Sequence, residues 1–373
     1  MIHLNKLYIE PTSKCNFNCK MCFRNTWFDE TFCDMPFELF EKTIRNLPSS
    51  VETIFFGGMG EPFYHKQILD MLRLSKSLGF HVEILTNGSI LNEEIIKELF
   101  DMRLNKLWIS IDSLLETDSP QPDGELGHPN TAQILQNIVL LNRMRARTGS
   151  PMKLGMTFVV SKDNVAALRK LPYFIDKYQI NDVNISNLYP ANTDSNDSLL
   201  YNRLLSLSTG SDLFGETRPY VNLPYMDYDI PEVQQGITAM FEKMNFNLVV
   251  GNIPVPRRSH YCRFIQEGMC FVRSDGNVSP CMALLHNGTT AIGETNRTIY
   301  HHSFGNVKDD TLSTIWNTQE YVEFRKRVEA FEFSPCTNCG HCQLPEENLE
   351  DCYGNEKPTC GACLWAEGIL SCP

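Results

Sequence analysis

The sequence predicts an α/β fold in which a parallel sheet closes only part of a barrel. Six short apolar segments with strand-like composition recur along the first half of the chain, and amphipathic segments with helical periodicity separate them. Regular alternation of strand and helix indicates βαβ units with right-handed crossovers. Six units are too few for an eight-stranded barrel, so we expect a partial (β/α)6 TIM barrel.

The predicted elements follow one another between residues 6 and 188. The predicted strands are Lys6–Pro11, Val51–Gly57, Phe80–Thr86, Lys106–Asp112, Lys153–Val160 and Asp182–Leu188. The predicted helices are Pro36–Asn46, Gln67–Leu78, Asn92–Phe100, Thr131–Arg145 and Asn164–Tyr178. Active sites of such barrels lie at the carboxyl ends of the strands, so we expect the functional residues just after these segments.

The 373 residues are enough for a large catalytic domain and a smaller one. We expect a core over residues 1–190 and an insertion or linker over the active-site face at 191–253. A cysteine-rich auxiliary domain is predicted at 254–373. The insertion is rich in Asn, Asp, Ser, Pro and Tyr, which suits a functional lid or a plain linker. The last region has few long apolar runs, so we expect metal to stabilise it.

Composition excludes several classes of partner. The formal net charge of −12 makes nucleic acid an unexpected partner, because a phosphate backbone requires clustered basic residues. Neither a secretory signal nor an apolar run long enough for a membrane span is visible, so we expect a cytoplasmic protein without a membrane partner. Fourteen cysteines in tight groups then favour metal ligation over disulfides.

The first cysteine group directly follows the first predicted strand. Cys15, Cys19 and Cys22 have the spacing C-x3-C-x2-C. Three thiolates leave one iron of a four-iron cluster without a protein ligand, and that open position is what a cluster needs to bind a small molecule. The alternative is a structural zinc site with Cys33 as its fourth ligand.

Glycines and polar residues follow the later strands. The second strand runs into Gly57, Gly58, Met59, Gly60 and Glu61, where glycines allow backbone to approach a ligand closely. The other strand ends carry polar side chains that are expected to point into the active-site mouth. They are Asn87, Ser110, Asp112 and Asn187. Turn chemistry is the alternative for Ser110 and Asp112, and loop capping is the alternative for Asn187.

The second cysteine group occupies the C-terminal third. Its members are Cys262, Cys270, Cys281, Cys336, Cys339, Cys342, Cys352, Cys360, Cys363 and Cys372. Between Cys262 and Cys281, the dipeptide Asp275-Gly276 predicts a tight hairpin turn. The pairs Cys336/Cys339 and Cys360/Cys363 also have zinc-ribbon spacing, which leaves a structural zinc site as an alternative.

Together these motifs resemble the radical S-adenosylmethionine (SAM) superfamily, and the C-terminal group resembles its SPASM extension, which binds two auxiliary clusters. The resemblance implies that the open iron chelates the methionine end of SAM and that one electron cleaves SAM to a 5′-deoxyadenosyl radical. Residues 57–61 resemble the family's SAM-binding glycine motif. Asn87, Ser110, Asp112 and Asn187 would contribute further SAM contacts. Met21 stands where the family usually has an aromatic residue against adenine.

The resemblance also implies three [4Fe–4S] clusters. The first auxiliary cluster would be held by Cys262, Cys270, Cys281 and Cys363. The second would be held by Cys336, Cys339, Cys360 and Cys372. Cys342 and Cys352 would be spare, or could displace Cys360.

The closing run Cys360–Pro373 resembles radical SAM maturases associated with tungsten-dependent aldehyde oxidoreductases. This implies an enzyme that takes hydrogen from a peptide or protein, with reduced ferredoxin or flavodoxin as electron donor and auxiliary clusters that accept electrons or bind substrate. One alternative is a dehydrogenase that modifies a small molecule or a metal cofactor. Another is an iron–sulfur electron-transfer or scaffold protein. The sequence assigns no catalytic acid or base.

Overall fold

The computed structural model describes residues 2–111, 131–201, 220–223, 226–227, 230–236, 247–250, 253–254, 261–338 and 342–372. Its strands are β1 (Lys6–Ile9), β2 (Thr53–Phe56), β3 (His81–Thr86), β4 (Lys106–Ser110), β5 (Lys153–Val160), β6 (Asp182–Asn187), β7 (Tyr220–Leu223), β8 (Asn247–Val250), β9 (Ile253–Pro254), β10 (Met269–Val272), β11 (Val278–Ser279), β12 (Gly288–Ile292) and β13 (Thr295–Ile299). Eight of them form one sheet in the order β11-β10-β1-β2-β3-β4-β5-β6. The strands from β1 to β6 are parallel neighbours, which confirms the predicted α/β core.

Helices cover the outer side of this sheet. The α-helices with defined bounds are α1 (Phe37–Arg45), α2 (Ile68–Ser77), α3 (Glu93–Asp101), α4 (Thr131–Thr148), α5 (Leu171–Lys177), α6 (Arg263–Gln266), α7 (Leu312–Trp316) and α8 (Gln319–Ala330). The predicted helix 164–178 is divided into a 3-10 helix, Val165–Lys170, and α5. Pro172 explains the division. Its ring clashes with the backbone of a preceding α-helical turn, and it has no N–H to donate, so one regular α-helix does not run through this position. In the described part of the chain, no helix is long and apolar enough to cross a membrane.

The C-terminal region extends the same sheet. Strand β10 pairs in parallel with β1, so that Leu7 lies beside Cys270. Strand β11 then returns antiparallel to β10 through the predicted Asp-Gly turn, in which Gly276 has a φ of +90°. The cysteine-rich region is therefore joined to the core through the edge of β1. The boundaries predicted near residues 190 and 253 stay predictions.

Strand alternation separates two apolar layers. Leu7 and Ile9 pack into the large core between sheet and helices, whereas Tyr8 faces the barrel interior. The Tyr8 ring lies 4.6 Å from the ring of Phe271 and 4.8 Å from that of Phe55, measured between centroids. This aromatic layer fills the barrel interior and leaves a cavity at the carboxyl ends of the strands.

Candidate active site and cysteine centres

The loop that carries the first cysteines is closed at its base by polar contacts. The Ser13 backbone N–H donates to the Cys33 carbonyl at 3.1 Å, and the Met35 N–H donates to the Pro11 carbonyl at 2.8 Å. The Thr12 hydroxyl donates to Asp34 at 2.6 Å. The loop consequently leaves β1 and returns to α1 at nearly the same point, and residues 14–32 project over the end of the sheet.

Cys15, Cys19 and Cys22 line one wall of a cavity of about 250 Å³. The Phe17 N–H donates to the Cys15 Sγ at 3.3 Å, and the Cys22 N–H donates to the Cys19 carbonyl at 3.0 Å. Burial raises the pKa of the Cys15 thiol, although the Phe17 N–H opposes that effect. Three sulfur donors therefore line a single cavity that has room for a small molecule.

The glycine segment lies against this loop at backbone distance. The Glu61 N–H donates to the Lys14 carbonyl at 2.8 Å. A Cβ added at Gly60 would lie 2.1 Å from the Thr12 carbonyl oxygen, so no larger residue fits there. Gly58 has a φ of +140°, a conformation that side chains rarely adopt. These two positions explain the glycines, and the whole segment from Gly57 to Glu61 lines the cavity.

Glu61 is buried and holds two strand ends together. Its carboxylate accepts hydrogen bonds from the Phe63 N–H at 3.0 Å, the Thr86 hydroxyl at 2.7 Å and the Asn87 N–H at 2.7 Å. Burial raises the pKa of Glu61 to about 7 despite these donors. The Asn87 side chain in turn donates to Asn16 at 2.9 Å, which connects the end of β3 to the cysteine loop.

The structure brings most of the other predicted SAM residues to the same cavity. Met21, Asn87, Ser110 and Asn187 all line it. Asp112 lies outside the described residues. Asn187 has a second contact that the sequence did not indicate, because its side chain donates to the Ile369 carbonyl at 2.8 Å.

The C-terminal tail forms a wall of the cavity that sequence reasoning missed. The Ser371 N–H donates to Ser186 at 3.0 Å, and its hydroxyl donates to Asn184 at 2.7 Å, so the tail follows β6. Trp365, Leu370, Ser371 and Cys372 of the tail line the cavity, together with Met282 and Tyr189. The tail has no strand or helix periodicity, and the polar face of β6 at Asn184 and Ser186 was the available signal.

Cys372 was predicted to hold the second auxiliary cluster, but the structure places it in the same cavity as Cys15, Cys19 and Cys22. Its Sγ accepts a hydrogen bond from the Trp365 indole N–H at 3.2 Å and lies 3.5 Å from the Met282 sulfur. Burial raises the pKa of this thiol to about 11. The physical reason is the attachment of the tail to β6, which places residue 372 at the cavity lined by Cys15, Cys19 and Cys22.

Four other cysteines surround a second, apolar cavity. They are Cys262, Cys281, Cys360 and Cys363, and the cavity walls include Ile265, Phe324, Val328 and Trp365. Burial, together with a smaller effect of negative charge on Cys363, raises the pKa of Cys262 to about 12. Burial also raises the pKa of Cys281 and Cys360 well above the ordinary range. Such thiols ionise together when a bound metal compensates their charge.

This arrangement differs from the predicted ligand set, because Cys360 stands where Cys270 was expected. Cys270 is fully buried in the core between the sheet and the helices. Its neighbour Phe271 faces the barrel interior, so strand alternation turns Cys270 to the opposite side. Burial raises the pKa of Cys270, and the charge of Arg325 opposes that rise.

The remaining cysteines lie in the loop-rich segment before the tail. Cys336 is half-buried, with its Sγ 3.0 Å from the Ser334 hydroxyl oxygen. Burial raises its pKa, and negative charge on Cys352 contributes to the rise. Cys342 and Cys352 are exposed. Cys339 lies outside the described residues. The predicted second set of 336, 339, 360 and 372 is therefore divided, since Cys360 and Cys372 line the two different cavities described above.

Family models match the chain in the same two regions. Residues 9–157 match the model of the radical SAM superfamily. Residues 262–343 match SPASM, an iron–sulfur cluster-binding domain. The chain is therefore a radical SAM enzyme with a SPASM domain, in a family that uses SAM and a [4Fe–4S] cluster.

Individual relatives extend over nearly the whole chain. The tungsten-containing aldehyde ferredoxin oxidoreductase cofactor-modifying protein of Pyrococcus furiosus is 29% identical, over 98% of this chain and 96% of that protein. This confirms the resemblance predicted from the tail. PqqA peptide cyclase of Gluconobacter oxydans is 22% identical, over 95% of this chain and 89% of that protein.

A solved structure has the same fold. The crystal structure of Streptococcus suis SuiB bound to precursor peptide SuiA superposes with a TM-score of 0.57 and 16% identity. The superposition covers 87% of this chain and 67% of that one. At this level of identity the likeness concerns the fold alone.

Proposed function

We propose that this protein is a maturase that cleaves SAM reductively and takes a hydrogen atom from a peptide or protein segment in the 250 Å³ cavity. The modified protein would belong to a tungsten-dependent oxidoreductase system. One observation carries the proposal: three parts of the chain line this single cavity. They are Cys15, Cys19 and Cys22, the glycine segment 57–61, and the tail residues Trp365, Leu370, Ser371 and Cys372. Sulfur donors, a SAM-binding backbone and a substrate wall then lie within reach of one another.

The donor sets fit iron–sulfur clusters better than zinc. Among the residues that the structure describes, no three His, Cys, Asp or Glu side chains close around the volume of a single metal ion. The cysteines instead surround cavities, as a larger four-iron body requires. When bound, the first cluster supplies the electron that cleaves SAM. We assign it to Cys15, Cys19 and Cys22, which leave its fourth position open.

Two auxiliary clusters complete the assignment. The four-cysteine cavity would hold one through Cys262, Cys281, Cys360 and Cys363. The other would use Cys336 and Cys352, whose negative charge contributes to the raised pKa of Cys336, together with Cys339 and Cys342. We therefore expect three [4Fe–4S] clusters and about twelve irons per chain.

The chain's own residues position SAM and exclude water. The contacts of Glu61 and Asn87 fix the glycine segment and the cysteine loop relative to one another. Phe23, next to Cys22, packs on Tyr189 at 4.2 Å between ring centroids, and Trp365 lies 6.0 Å from both rings. This aromatic wall keeps solvent from a radical formed in the cavity.

Trp365 also lines the four-cysteine cavity, so it lies between the proposed active site and the nearest auxiliary cluster. An electron that leaves the substrate radical has a short path through this wall. We also propose reduced ferredoxin or flavodoxin as the external electron donor. A reducing cytoplasm suits a chain whose described cysteines form no disulfide.

A second candidate is modification of a metal cofactor, which the name of the Pyrococcus furiosus relative favours. The name PqqA peptide cyclase favours a peptide substrate instead. An electron-transfer or scaffold protein is disfavoured, because it would need no small-molecule cavity beside a three-cysteine loop.

Deuterium transfer to 5′-deoxyadenosine distinguishes a protein substrate from a small-molecule cofactor substrate. Extract of the source organism grown in deuterium oxide is divided into a protein fraction and a small-molecule fraction, and each is incubated anaerobically with reduced enzyme and SAM. We expect deuterium in 5′-deoxyadenosine from the protein fraction, lost after protease treatment of that fraction. Deuterium from the small-molecule fraction would favour the cofactor candidate. Absence of 5′-deoxyadenosine in every reaction, including SAM with dithionite alone, would contradict the proposed radical chemistry.

A further inference from the structure

A buried carboxylate supports the glycine segment from below. Glu10 directly follows β1 and is completely buried. Its Oε1 accepts a hydrogen bond from the Met59 N–H at 3.3 Å. A Cβ placed on Gly58 would lie 2.8 Å from the Glu10 Cγ, so the side chain fills the space beneath that residue. The position of Glu10 therefore influences the conformation of residues 58–59, which line the proposed SAM site.

The SPASM region holds Glu10 in place. The His286 Nε2 lies 2.9 Å from the Glu10 Oε1, and the Ser274 hydroxyl donates to the Glu10 Oε2 at 3.3 Å. The same Ser274 oxygen lies 3.2 Å from the Cys33 sulfur at the base of the cysteine loop. His286 is itself buried, so water does not substitute for these contacts.

The other side of the imidazole contacts the cysteine loop. The His286 Nδ1 lies 3.0 Å from Glu30 Oε2, and the His286 ring stacks on Trp27 with 3.9 Å between centroids. Glu30 also accepts from Arg273 at 2.9 Å and from the Asn287 N–H at 2.7 Å. One histidine from the SPASM region thus contacts both the cysteine loop and the support of the glycine segment.

Both ring nitrogens face carboxylates, and both donate when the ring is an imidazolium. Burial opposes that charge, but Glu10 and Glu30 outweigh it and raise the pKa of His286. Arg273 acts in the opposite direction and is itself paired with Glu30 and with Asp275 at 3.2 Å.

We propose that His286 is a positioning residue for SAM: it fixes Glu10 beneath Gly58 and Met59 and fixes Glu30 in the cysteine loop, so that the SAM site is complete when the SPASM region is docked. This inference rests on the proposed placement of SAM at residues 57–61. It adds a dependence of SAM affinity on a residue that lies outside the cavity lining.

SAM affinity of reconstituted His286→Gln, measured by equilibrium dialysis, tests the proposal. We expect affinity to fall about tenfold, a typical coupling between sites, with iron per chain unchanged. Glu10→Gln should weaken SAM similarly, and the double variant should be little worse than either single one, because both changes interrupt one interaction. His302→Gln is the matched control. His302 is a neighbouring histidine whose Nε2 has no hydrogen-bond partner among the described residues. The SAM affinity of His302→Gln should therefore equal the wild-type value.

The pH profile distinguishes positioning from general stabilisation. In the wild type, SAM affinity should fall as pH rises through the raised pKa of His286. The neutral imidazole has only one N–H, so it no longer donates to both Glu10 and Glu30. His286→Gln should lack this transition and keep only the pH dependence that Glu61, with its pKa raised to about 7, contributes at the cavity. Wild-type affinity and profile in His286→Gln would overturn the inference, as would iron loss in that variant or equal weakening in His302→Gln. Failure of the wild type itself to bind SAM would instead overturn the proposed function.

Discussion

The two groups of cysteines differ in what surrounds them. Cys15, Cys19 and Cys22 lie on a loop at the wall of a large cavity, which they share with the glycine segment. Cys262, Cys281, Cys360 and Cys363 line a cavity whose other walls are apolar. Under the proposed function, cysteine thus serves an open, reactive centre in one region and a closed, electron-storing centre in the other. The two centres differ in the number of thiols and in the residues that line each cavity, whereas the ligating residue type is the same.

The two regions are also held by different forces. Hydrogen bonds close the base of the first loop, for example between Ser13 and Cys33. Around the second group burial dominates and raises the pKa of Cys281 and Cys360 well above the ordinary range. The cluster that we propose there would add folding free energy. Removal of a ligand should therefore affect chemistry in the first region and folding in the second.

The largest expected effect comes from the open centre. Simultaneous change of Cys15, Cys19 and Cys22 to Ala should abolish reductive SAM cleavage while about eight irons per chain remain, since those thiolates serve one cluster. Iron analysis and chromatography of 5′-deoxyadenosine measure both results. Wild-type cleavage in this variant would show that the open centre lies elsewhere.

The closed centre can be tested by two matched single changes. Cys360→Ala should lower iron by about four atoms per chain, because it removes one of the four thiols around the apolar cavity. Cys270→Ala should keep its iron and lose about 1 kcal/mol of unfolding free energy, since it leaves a small hole in the core. Iron analysis and denaturant titration give the two numbers. Iron loss in Cys270→Ala with full iron in Cys360→Ala would restore the ligand set expected from sequence.

A smaller effect is expected at the glycine segment. Gly58→Ala should raise the SAM KM, because a Cβ at φ +140° would meet Glu10 at 2.8 Å, and the strain should cost about 1–3 kcal/mol. Gly79→Ala is the control, with a φ of +90° and no described atom within 4 Å of the added carbon. It should lower stability without changing the SAM KM. Equal SAM KM values for both variants would show that close approach at residue 58 has no role.

The smallest effect concerns the tail. Asn187→Ala removes one hydrogen bond to the Ile369 carbonyl, which typically contributes about 1 kcal/mol. We expect faster proteolysis of the tail and more SAM cleavage without substrate turnover, measured as the ratio of 5′-deoxyadenosine to product. Asn46→Ala, on the exposed end of α1, is the control. An unchanged ratio in Asn187→Ala would mean that this bond does not seal the cavity.

Local sequence patterns predicted the elements that depend on local chemistry. The strands β1–β6 agree with the predicted segments to within three residues at each end, and Lys153–Val160 agrees at both ends. The cysteine loop and the glycine segment were singled out by their motifs and by the family resemblance. The polar strand ends were singled out because the carboxyl ends of parallel strands meet at one edge.

Contacts between distant segments were not predicted. The dipeptide Asp275-Gly276 indicated a hairpin turn, but the pairing of β10 with β1 depends on which sheet edge is free. Spacing between cysteines likewise does not tell which wall each one faces. Strand alternation could have excluded Cys270, because its neighbour Phe271 is the larger aromatic candidate for the barrel interior. The path of the tail along β6 left no periodic signal.

The central claim is that SAM binds at the open cluster and at no other. The most direct measurement is electron paramagnetic resonance of the dithionite-reduced protein with and without SAM, in the wild type and in the variant with Cys15, Cys19 and Cys22 changed to Ala. The account predicts that SAM changes one component of the wild-type spectrum, and that the variant lacks this component and keeps signals that SAM leaves unaltered. A SAM-dependent change in the variant would place SAM at an auxiliary cluster and contradict the account.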